Sequence, residues 1–233
     1  MYWDYFDKAF CISLNERKDR QREARRQFAK VGLSEQVEFV FVRKHPSDCE
    51  QGIYESHMMC MEKGLKTGAK RILIFEDDVV FDGFRSEQLE QCVDFLARHP
   101  WWNLFFWGCM VKKSRRTNNR AVMEVEYQCL SHAYGVNRKF AETLVQIPWQ
   151  GVPFDDLIRN LKPDHLYAAC PALAFQSSSP SDNERFLALD RFRRLCGGLK
   201  RLQKMNELYH RHKMMIIAGH LVILGIIMGL WIA

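Results

Sequence analysis

The sequence predicts an α/β fold with a mainly parallel central sheet, and two observations predict it. Short apolar segments alternate with longer helical patterns from the start of the chain, in the order strand, helix, strand, helix, strand. This alternation is typical of parallel strands joined by right-handed crossovers. The third apolar segment, residues 72–75, contains only β-branched, leucine and aromatic residues, as expected for a strand that is covered on both faces.

The remaining elements follow in chain order. We predict strands at residues 9–14, 37–42, 72–75, 102–107, 122–129, 166–170 and 172–175. We predict helices at residues 16–30, 54–65, 86–99, 137–146 and 155–161. Asn15 and Ser86 stand at the starts of two of them, where Asn and Ser commonly cap a helix. The basic stretch at residues 112–120 is typical of a polar loop.

Composition and charge indicate a single globular domain with a basic segment behind it. The chain has 233 residues, of which 47% are hydrophobic and 27% charged, and the formal net charge is +6. Residues 185–213 hold nine Lys and Arg against two acidic residues, so residues 1–184 are close to neutral. We therefore expect no nucleic-acid partner, since no such module is visible in the sequence.

The cysteines and the N-terminus predict the compartment. None of the eight cysteines forms a CxxC pair or has zinc-ligand spacing, and several lie within apolar runs. Such cysteines are usually buried thiols, which indicates a reducing, cytosolic environment. The N-terminus lacks the basic and apolar regions of a signal peptide.

Three consecutive acidic residues, Glu76, Asp77 and Asp78, follow the central strand. Adjacent carboxylates repel one another unless a cation neutralises them. Open α/β sheets bind their ligands at the carboxyl ends of their strands. A Mg²⁺ or Mn²⁺ ion that carries a phosphate suits such a group of oxygen atoms, whereas the alternative is a solvated acidic turn.

The last twenty residues, 214–233, contain no Asp, Glu, Lys or Arg. A helix of this length spans about 30 Å, the thickness of the hydrocarbon core of a bilayer. We therefore expect a single-pass C-terminal membrane anchor, with residues 1–184 as the catalytic domain in the cytoplasm and residues 185–213 as a basic juxtamembrane segment. The spacing of Gly225 and Gly229 hints at a homodimer formed through this helix. The alternative is a buried core helix.

Four separated blocks resemble glycosyltransferase family 25, the lipopolysaccharide and collagen sugar transferases. They are residues 12–20 with two arginines, Glu50 and Gly52 with Ser56 and His57, Phe75-Glu-Asp-Asp-Val79, and Ala133, Tyr134 and Ala141 with Pro153-Phe-Asp-Asp156, Pro171 and Gln176. The chain departs from the family pattern at Ser13, where the family has Asn, at Ile53, where it has Cys, and in a short loop after Val42.

The resemblance implies a GT-A type fold and an inverting transfer of a hexose, galactosyl or glucosyl, from a nucleotide sugar such as a UDP-sugar to a saccharide or other hydroxyl acceptor. It implies that Mn²⁺ or Mg²⁺ binds at Asp78 and Glu76, and that Asp77 binds the metal or the ribose. Asp155 would be the general base. Residues that would frame the nucleotide are Leu14, Asn15, Arg17 and Arg20. Residues expected to contact the substrates are His57, Trp107, Gly108, Tyr134 and Asp156.

Two other classes of function remain open. Paired carboxylates also serve glycoside hydrolases, although these do not need an acidic triplet that binds a metal. The chain could also be a non-catalytic membrane-surface module with the same fold, against which the intact acidic triplet argues. For His57, a structural hydrogen bond is the more common role, and Asp155 and Asp156 could simply stabilise the start of a helix.

Overall fold

The computed structural model describes residues 2–177 and 197–232, in which an eight-stranded sheet carries helices on both faces. A short 3-10 helix, Tyr2–Tyr5, precedes the first strand. The strands of the large sheet, in chain order, are β1 (Lys8–Leu14), β2 (Val37–Val42), β3 (Arg71–Glu76), β5 (Leu104–Phe106), β6 (Met110–Arg116), β7 (Val122–Cys129), β8 (Ala133–Asn137) and β9 (Leu166–Ala169). A separate two-stranded sheet pairs β4 (Val79–Phe81) with β10 (Ala174–Gln176).

The large sheet is mixed, in the order β2-β1-β3-β8-β5-β9-β7-β6. Its first three strands are parallel, as the alternating pattern predicts. β8 is antiparallel to both β3 and β5, and β7 is antiparallel to both β6 and β9. The predicted parallel core is thus present, but it is extended by antiparallel strands.

Six helices occur in the described part of the chain. They are α1 (Lys18–Val31), α2 (Cys49–Lys66), α3 (Ser86–Arg98), α4 (Arg138–Leu144), α5 (Phe154–Leu161) and α6 (Gly198–Ile232). α1 and α3 contribute to one buried cluster, and α2, α4 and α5 to another. Alternate residues of β3 belong to the two clusters: Leu73 and Phe75 to the first, Ile72 and Ile74 to the second. All four are fully buried, which confirms the prediction of a strand covered on both faces.

The helix caps differ from the prediction. Arg17 rather than Asn15 is the N-cap of α1, and Arg85 rather than Ser86 is the N-cap of α3. Neither makes a side-chain capping bond, whereas Asp48 accepts two backbone N–H bonds at the start of α2. The predicted helices are present. α3 begins at the predicted residue, and α1, α4 and α5 begin within one or two positions of it, as is usual for helix ends. α2 begins at Cys49 rather than at residue 54.

The predicted polar loop at residues 112–120 is wrong, because most of it belongs to β6 and its hairpin with β7. The charged side chains of β6 pair across the hairpin: Lys112 and Lys113 with Glu126, and Arg115 with Glu124. Such an edge strand lacks the apolar alternation by which strands are recognised, and charge on an edge prevents pairing with other chains.

The prediction of a membrane anchor is wrong. Within residues 2–177 and 197–232, no helix has both the length and the apolar character needed to cross a membrane. α6 is long, but its first half is charged and contacts β6 and β10 instead of standing apart as a juxtamembrane segment. The predicted cytoplasmic orientation and the homodimer through residues 214–233 lose their basis with the anchor. Residues 185–196 of the predicted basic segment lie outside the described residues.

Candidate active site

A cleft of about 500 Å³ lies at the carboxyl ends of β1, β2 and β3. This is the edge at which parallel strands of open α/β sheets place their ligands. The start of α2 and the start of α5 form further walls, and Gln176 and Ser177 line it at the end of β10. The cleft therefore gathers residues from distant parts of the chain around the end of β3.

The acidic triplet lies in this cleft, as the sequence predicts. Asp77 accepts hydrogen bonds from Ser13 Oγ at 2.6 Å and from Arg20 Nη1 at 3.2 Å. Asp78 Oδ2 accepts one from Gln176 Nε2 at 3.0 Å and lies 3.7 Å from Arg20 Nη1. Arg20 is thus a cation placed between two carboxylates, which offsets part of their repulsion.

Burial and mutual repulsion still disfavour the charged forms of these acids. Burial, followed by the neighbouring Glu76 carboxylate, raises the pKa of Asp78 to about 7. Burial, followed by the charges of Asp155 and Asp77, raises the pKa of Glu76 well above that of a free glutamate. A further cation in the cleft would favour both ionised forms.

Asp78 also has an oxygen that is suited to a cation. Its Oδ1 atom is buried and makes no hydrogen bond within the described protein. In the two described ranges, no three His, Cys, Asp or Glu residues are arranged to hold a metal ion by themselves. Mg²⁺ is usually held by one or two carboxylates together with water and substrate phosphates. The residues around Asp78 therefore fit a cation that is shared with a diphosphate, but not a closed metal site.

His57 lines the cleft behind Glu76 and is neutral. Its ring stacks on Phe154 with centroids 4.3 Å apart, and its Nδ1 atom hydrogen-bonds Tyr134 Oη at 3.0 Å. Burial lowers the pKa of His57 to about 4. Its Nε2 atom lies 3.6 Å from Glu76 Oε1. Through these contacts His57 joins β8, α5 and the end of β3, which is the structural role considered for it above.

Asp155 lies on the α5 side of the cleft and is held by donors from the β7–β8 region. Tyr127 Oη donates to Asp155 Oδ1 at 2.5 Å, and the backbone N–H of Leu130 donates to Oδ2 at 2.9 Å. The N-cap of α5 is Pro153, which makes no side-chain bond. Asp155 therefore does not cap its own helix but is fixed in orientation by neighbouring elements.

Asp156 also lines the cleft and forms an ion pair with Arg159 at 2.7 Å, one turn along α5. Leu14 and Arg20 line the cleft as predicted, whereas Asn15 and Arg17 do not. Arg17 forms an ion pair with Asp19 at 3.0 Å.

Three predicted substrate contacts lie in the core instead of the cleft. Trp107 is fully buried against Trp3, Phe6 and Phe105. Gly108 has no room for a Cβ atom, which would collide with the carbonyl oxygen of Ala174. Tyr134 is buried and reaches the site only through its bond to His57. The sequence indicates that a strand ends at Trp107, but it does not show that the side chain of Trp107 faces the core.

Several cleft residues were not predicted from the sequence. Ser13 was noted only as a departure from the family pattern, and Gln176 only as part of a block, yet both hydrogen-bond the acidic residues. Four basic residues also line the cleft, namely Arg43, Lys44, His45 and Arg159. The position of residues 43–45 directly after a parallel strand was a usable signal, since β2 ends at the same edge as β3.

Residues 41–158, about half of the chain, match the family model described as glycosyltransferase family 25 (LPS biosynthesis protein). This range contains His57, the acidic triplet and Asp155. It does not include Ser13, Arg20 and Gln176, whose side chains donate hydrogen bonds to Asp77 and Asp78.

No curated protein matches the chain. Among solved structures, A197 from STIV is 13% identical over 72% of this chain and 83% of its own, with a TM-score of 0.46. A glycosyltransferase involved in the glycosylation of the major capsid of PBCV-1 is 11% identical over 81% and 99%, with a TM-score of 0.45. Apo UDP-glucose pyrophosphorylase is 10% identical over 70% and 72%, with a TM-score of 0.43. At TM-scores below 0.5 these likenesses support no conclusion about this chain.

Proposed function

Because the chain belongs to glycosyltransferase family 25, we propose that it transfers a hexose, galactose or glucose, from a UDP-sugar to a hydroxyl group of an acceptor with inversion. The acceptor is a glycan, a lipid-linked saccharide or a protein, and the reaction depends on Mn²⁺ or Mg²⁺. The fold is of the GT-A type. The observation that carries the proposal is the acidic triplet at the end of β3, in which Asp77 and Asp78 are buried and Asp78 Oδ1 is unpartnered within the described protein.

The donor binds at the end of the cleft where Arg20, Asp77 and Asp78 meet. Asp78, with Glu76 beside it, would hold a Mn²⁺ or Mg²⁺ ion, which would supply positive charge to offset that of the departing diphosphate. Asp77 is already hydrogen-bonded to Ser13 and Arg20, so it is oriented before the donor arrives. Leu14 lies beside this group at the end of β1 and contacts the nucleotide.

Asp155 is the general base and takes the proton of the acceptor hydroxyl. Its two bonds, from Tyr127 and from the Leu130 backbone, use one acceptor position on each oxygen. Each carboxylate oxygen has a second lone pair, which remains for the acceptor. Because Asp155 comes from α5 and the leaving diphosphate is held at the end of β3, the base and the leaving group belong to different walls of the cleft, as inversion requires.

Calorimetry of UDP binding tests the donor site. Asp78→Asn removes one negative charge at nearly constant shape, so UDP should lose its Mn²⁺-dependent gain in affinity. Asp94→Asn is the matched control, because it removes the same charge from the exposed face of α3, where Asp94 pairs with Arg98. If the wild type and Asp78→Asn titrate alike with and without Mn²⁺, the assignment of Asp78 is wrong.

A further inference from the structure

We infer that the C-terminal helix α6 is a positioning element of the active site, and that Gln203 is the positioning residue through which it acts on Asp78. The expected effect on the donor KM rests on the proposed function, whereas the coupling of α6 to Asp78 rests on contacts in the structure alone. α6 lies outside the region that matches the family, and none of its residues was predicted to take part in the site.

Gln203 attaches α6 to β10. Its side chain is fully buried, and Nε2 donates to the carbonyl oxygen of Ala174 at 2.9 Å. Gly108 makes this approach possible, since a Cβ atom there would collide with both partners of the bond. The other polar atom of the side chain, Oε1, is buried and makes no hydrogen bond within the described residues. A buried unpaired amide oxygen costs free energy, so stability alone does not account for an amide at this position.

The same helix also attaches to the strand that pairs with β10. Lys200 and Lys204 both reach Asp82, directly after β4, at 3.0 and 2.7 Å. Their ammonium groups lie over the ring of Phe175 in β10, 5.9 and 5.2 Å from its centroid. One turn of α6 therefore contacts both strands of the small sheet.

That small sheet carries Asp78. β4 begins at the residue after Asp78, and in the antiparallel pair Gln176 lies opposite Val79. Gln176 Nε2 donates to the Asp78 side chain, and the backbone N–H of Ser177 donates to the Asp78 carbonyl at 2.8 Å. A shift of β10 would move both donors away from Asp78. The position of α6 therefore affects the position of the hydrogen-bond donors around Asp78, the carboxylate that the proposed sugar donor needs.

The next turn of α6 supplies a matched control. Asn206 accepts from the backbone N–H of Val111 at 2.9 Å and donates to its carbonyl at 3.0 Å. These bonds dock the same helix on β6, the edge strand at the opposite end of the large sheet from β2. Removing the Asn206 bonds weakens the attachment of α6 to β6 and leaves the bond from Gln203 to β10 in place.

The experiment compares Gln203→Met with Asn206→Met in the full chain. We expect Gln203→Met to weaken Mn²⁺-dependent UDP binding and to raise the KM for the donor by about tenfold, the upper range for one lost hydrogen bond. The KM for the acceptor should not change. Asn206→Met should lower the melting temperature but leave both constants unchanged. The paired substitution Lys200→Met and Lys204→Met, at partly exposed positions, should act in the same direction as Gln203→Met.

Amide hydrogen exchange separates this inference from the proposed function, because it needs no nucleotide. Exchange at Ser177 should accelerate in Gln203→Met and in the double lysine variant, but not in Asn206→Met. A wild type that binds no UDP would contradict the proposed function, while the exchange pattern would still decide the role of Gln203. If all variants give the same exchange at Ser177 as the wild type, or if Gln203→Met and Asn206→Met change it equally, the positioning role is wrong.

Discussion

The side chain of Asp155 is oriented by residues outside its own helix, and this separates a catalytic role from a capping role. The sequence left open whether Asp155 and Asp156 only stabilise the start of α5. In the structure, Asp155 accepts from Tyr127 and Leu130, while Asp156 pairs with Arg159. The two neighbouring acids therefore have different surroundings, and their substitution should have different effects.

We predict that Asp155→Asn lowers the transfer rate by about 10²–10⁴-fold, the usual contribution of general-base catalysis. UDP and Mn²⁺ binding should change far less than the transfer rate, because Asp155 reaches the proposed cation site only through the effect of its charge on Glu76. Steady-state kinetics measures the transfer rate, and calorimetry measures the binding of UDP and Mn²⁺.

Asp156→Asn is the control, and it should lower the transfer rate much less, since it breaks only a partly exposed ion pair. Such a pair typically contributes about 0–1 kcal/mol to stability. The melting temperatures of both variants show whether a rate loss reflects unfolding. An Asp155→Asn protein that is folded, binds UDP and transfers sugar at the wild-type rate would rule out Asp155 as the base.

The sequence located the chemically distinctive residues but not their partners. The acidic triplet could be placed at the sheet edge because the apolar run of β3 ends at Glu76. The bonds from Ser13 and Gln176 to these acids could not, because both come from residues remote in sequence. Trp107 was assigned to the site because it ends a strand, yet it packs against Trp3 near the N-terminus. Long-range contacts of this kind are not encoded in local periodicity.

At the scale of elements, most strands with apolar patterns were predicted, whereas the three-residue β4 and the strands without such a pattern were not. β1 to β3 follow the strand-helix alternation of a parallel sheet, and their register confirms that they are parallel. β6 carries four basic residues and β8 is a short segment that includes Gly135, so neither has the sequence pattern that predicts a strand. The docking of α6 could not be predicted from an apolar pattern, because polar side chains such as Gln203 and Asn206 bond it to β10 and β6.

The contact between Asp82 and α6 should depend on pH. Hydrogen bonds from Lys204 and Lys200 lower the pKa of Asp82 below its ordinary value of 3.8. A lowered pKa in the folded state contributes stability above the unfolded pKa, and this contribution is lost as the pH falls through the folded pKa. We expect Asp82→Asn to be less stable than the wild type at neutral pH, and the difference to disappear as the pH falls below 3.8.

Melting temperatures of the wild type, Asp82→Asn and Lys204→Met across this range check the prediction. Lys204→Met should show the same pH dependence, because it removes the stronger of the two partners of the carboxylate. A stability difference for Asp82→Asn that is unchanged at pH 3 would show that the ion pairs with α6 do not contribute.

At the scale of the whole molecule, the site is assembled from more of the chain than the family region. Residues 41–158 supply the acidic triplet and Asp155, whereas β1, α1 and β10 supply the partners of Asp77 and Asp78. The α/β class was predictable because it follows from the order of the elements. The membrane anchor was mispredicted because the apolar run at residues 214–233 was considered apart from the charged, docked half of the helix that precedes it.

The activity that we propose for this chain is the metal-dependent transfer of a sugar from a nucleotide donor. The most direct measurement is nucleotide release by the purified full chain from UDP-, GDP- and CMP-sugars, with Mn²⁺, with Mg²⁺ and with a chelator. We predict release from a UDP-hexose that requires the metal, is lost in Asp78→Asn and is stimulated by a saccharide acceptor. No release from any nucleotide sugar, together with nucleotide-independent release of sugar from a glycoside, would contradict the proposed transferase activity and indicate a hydrolase.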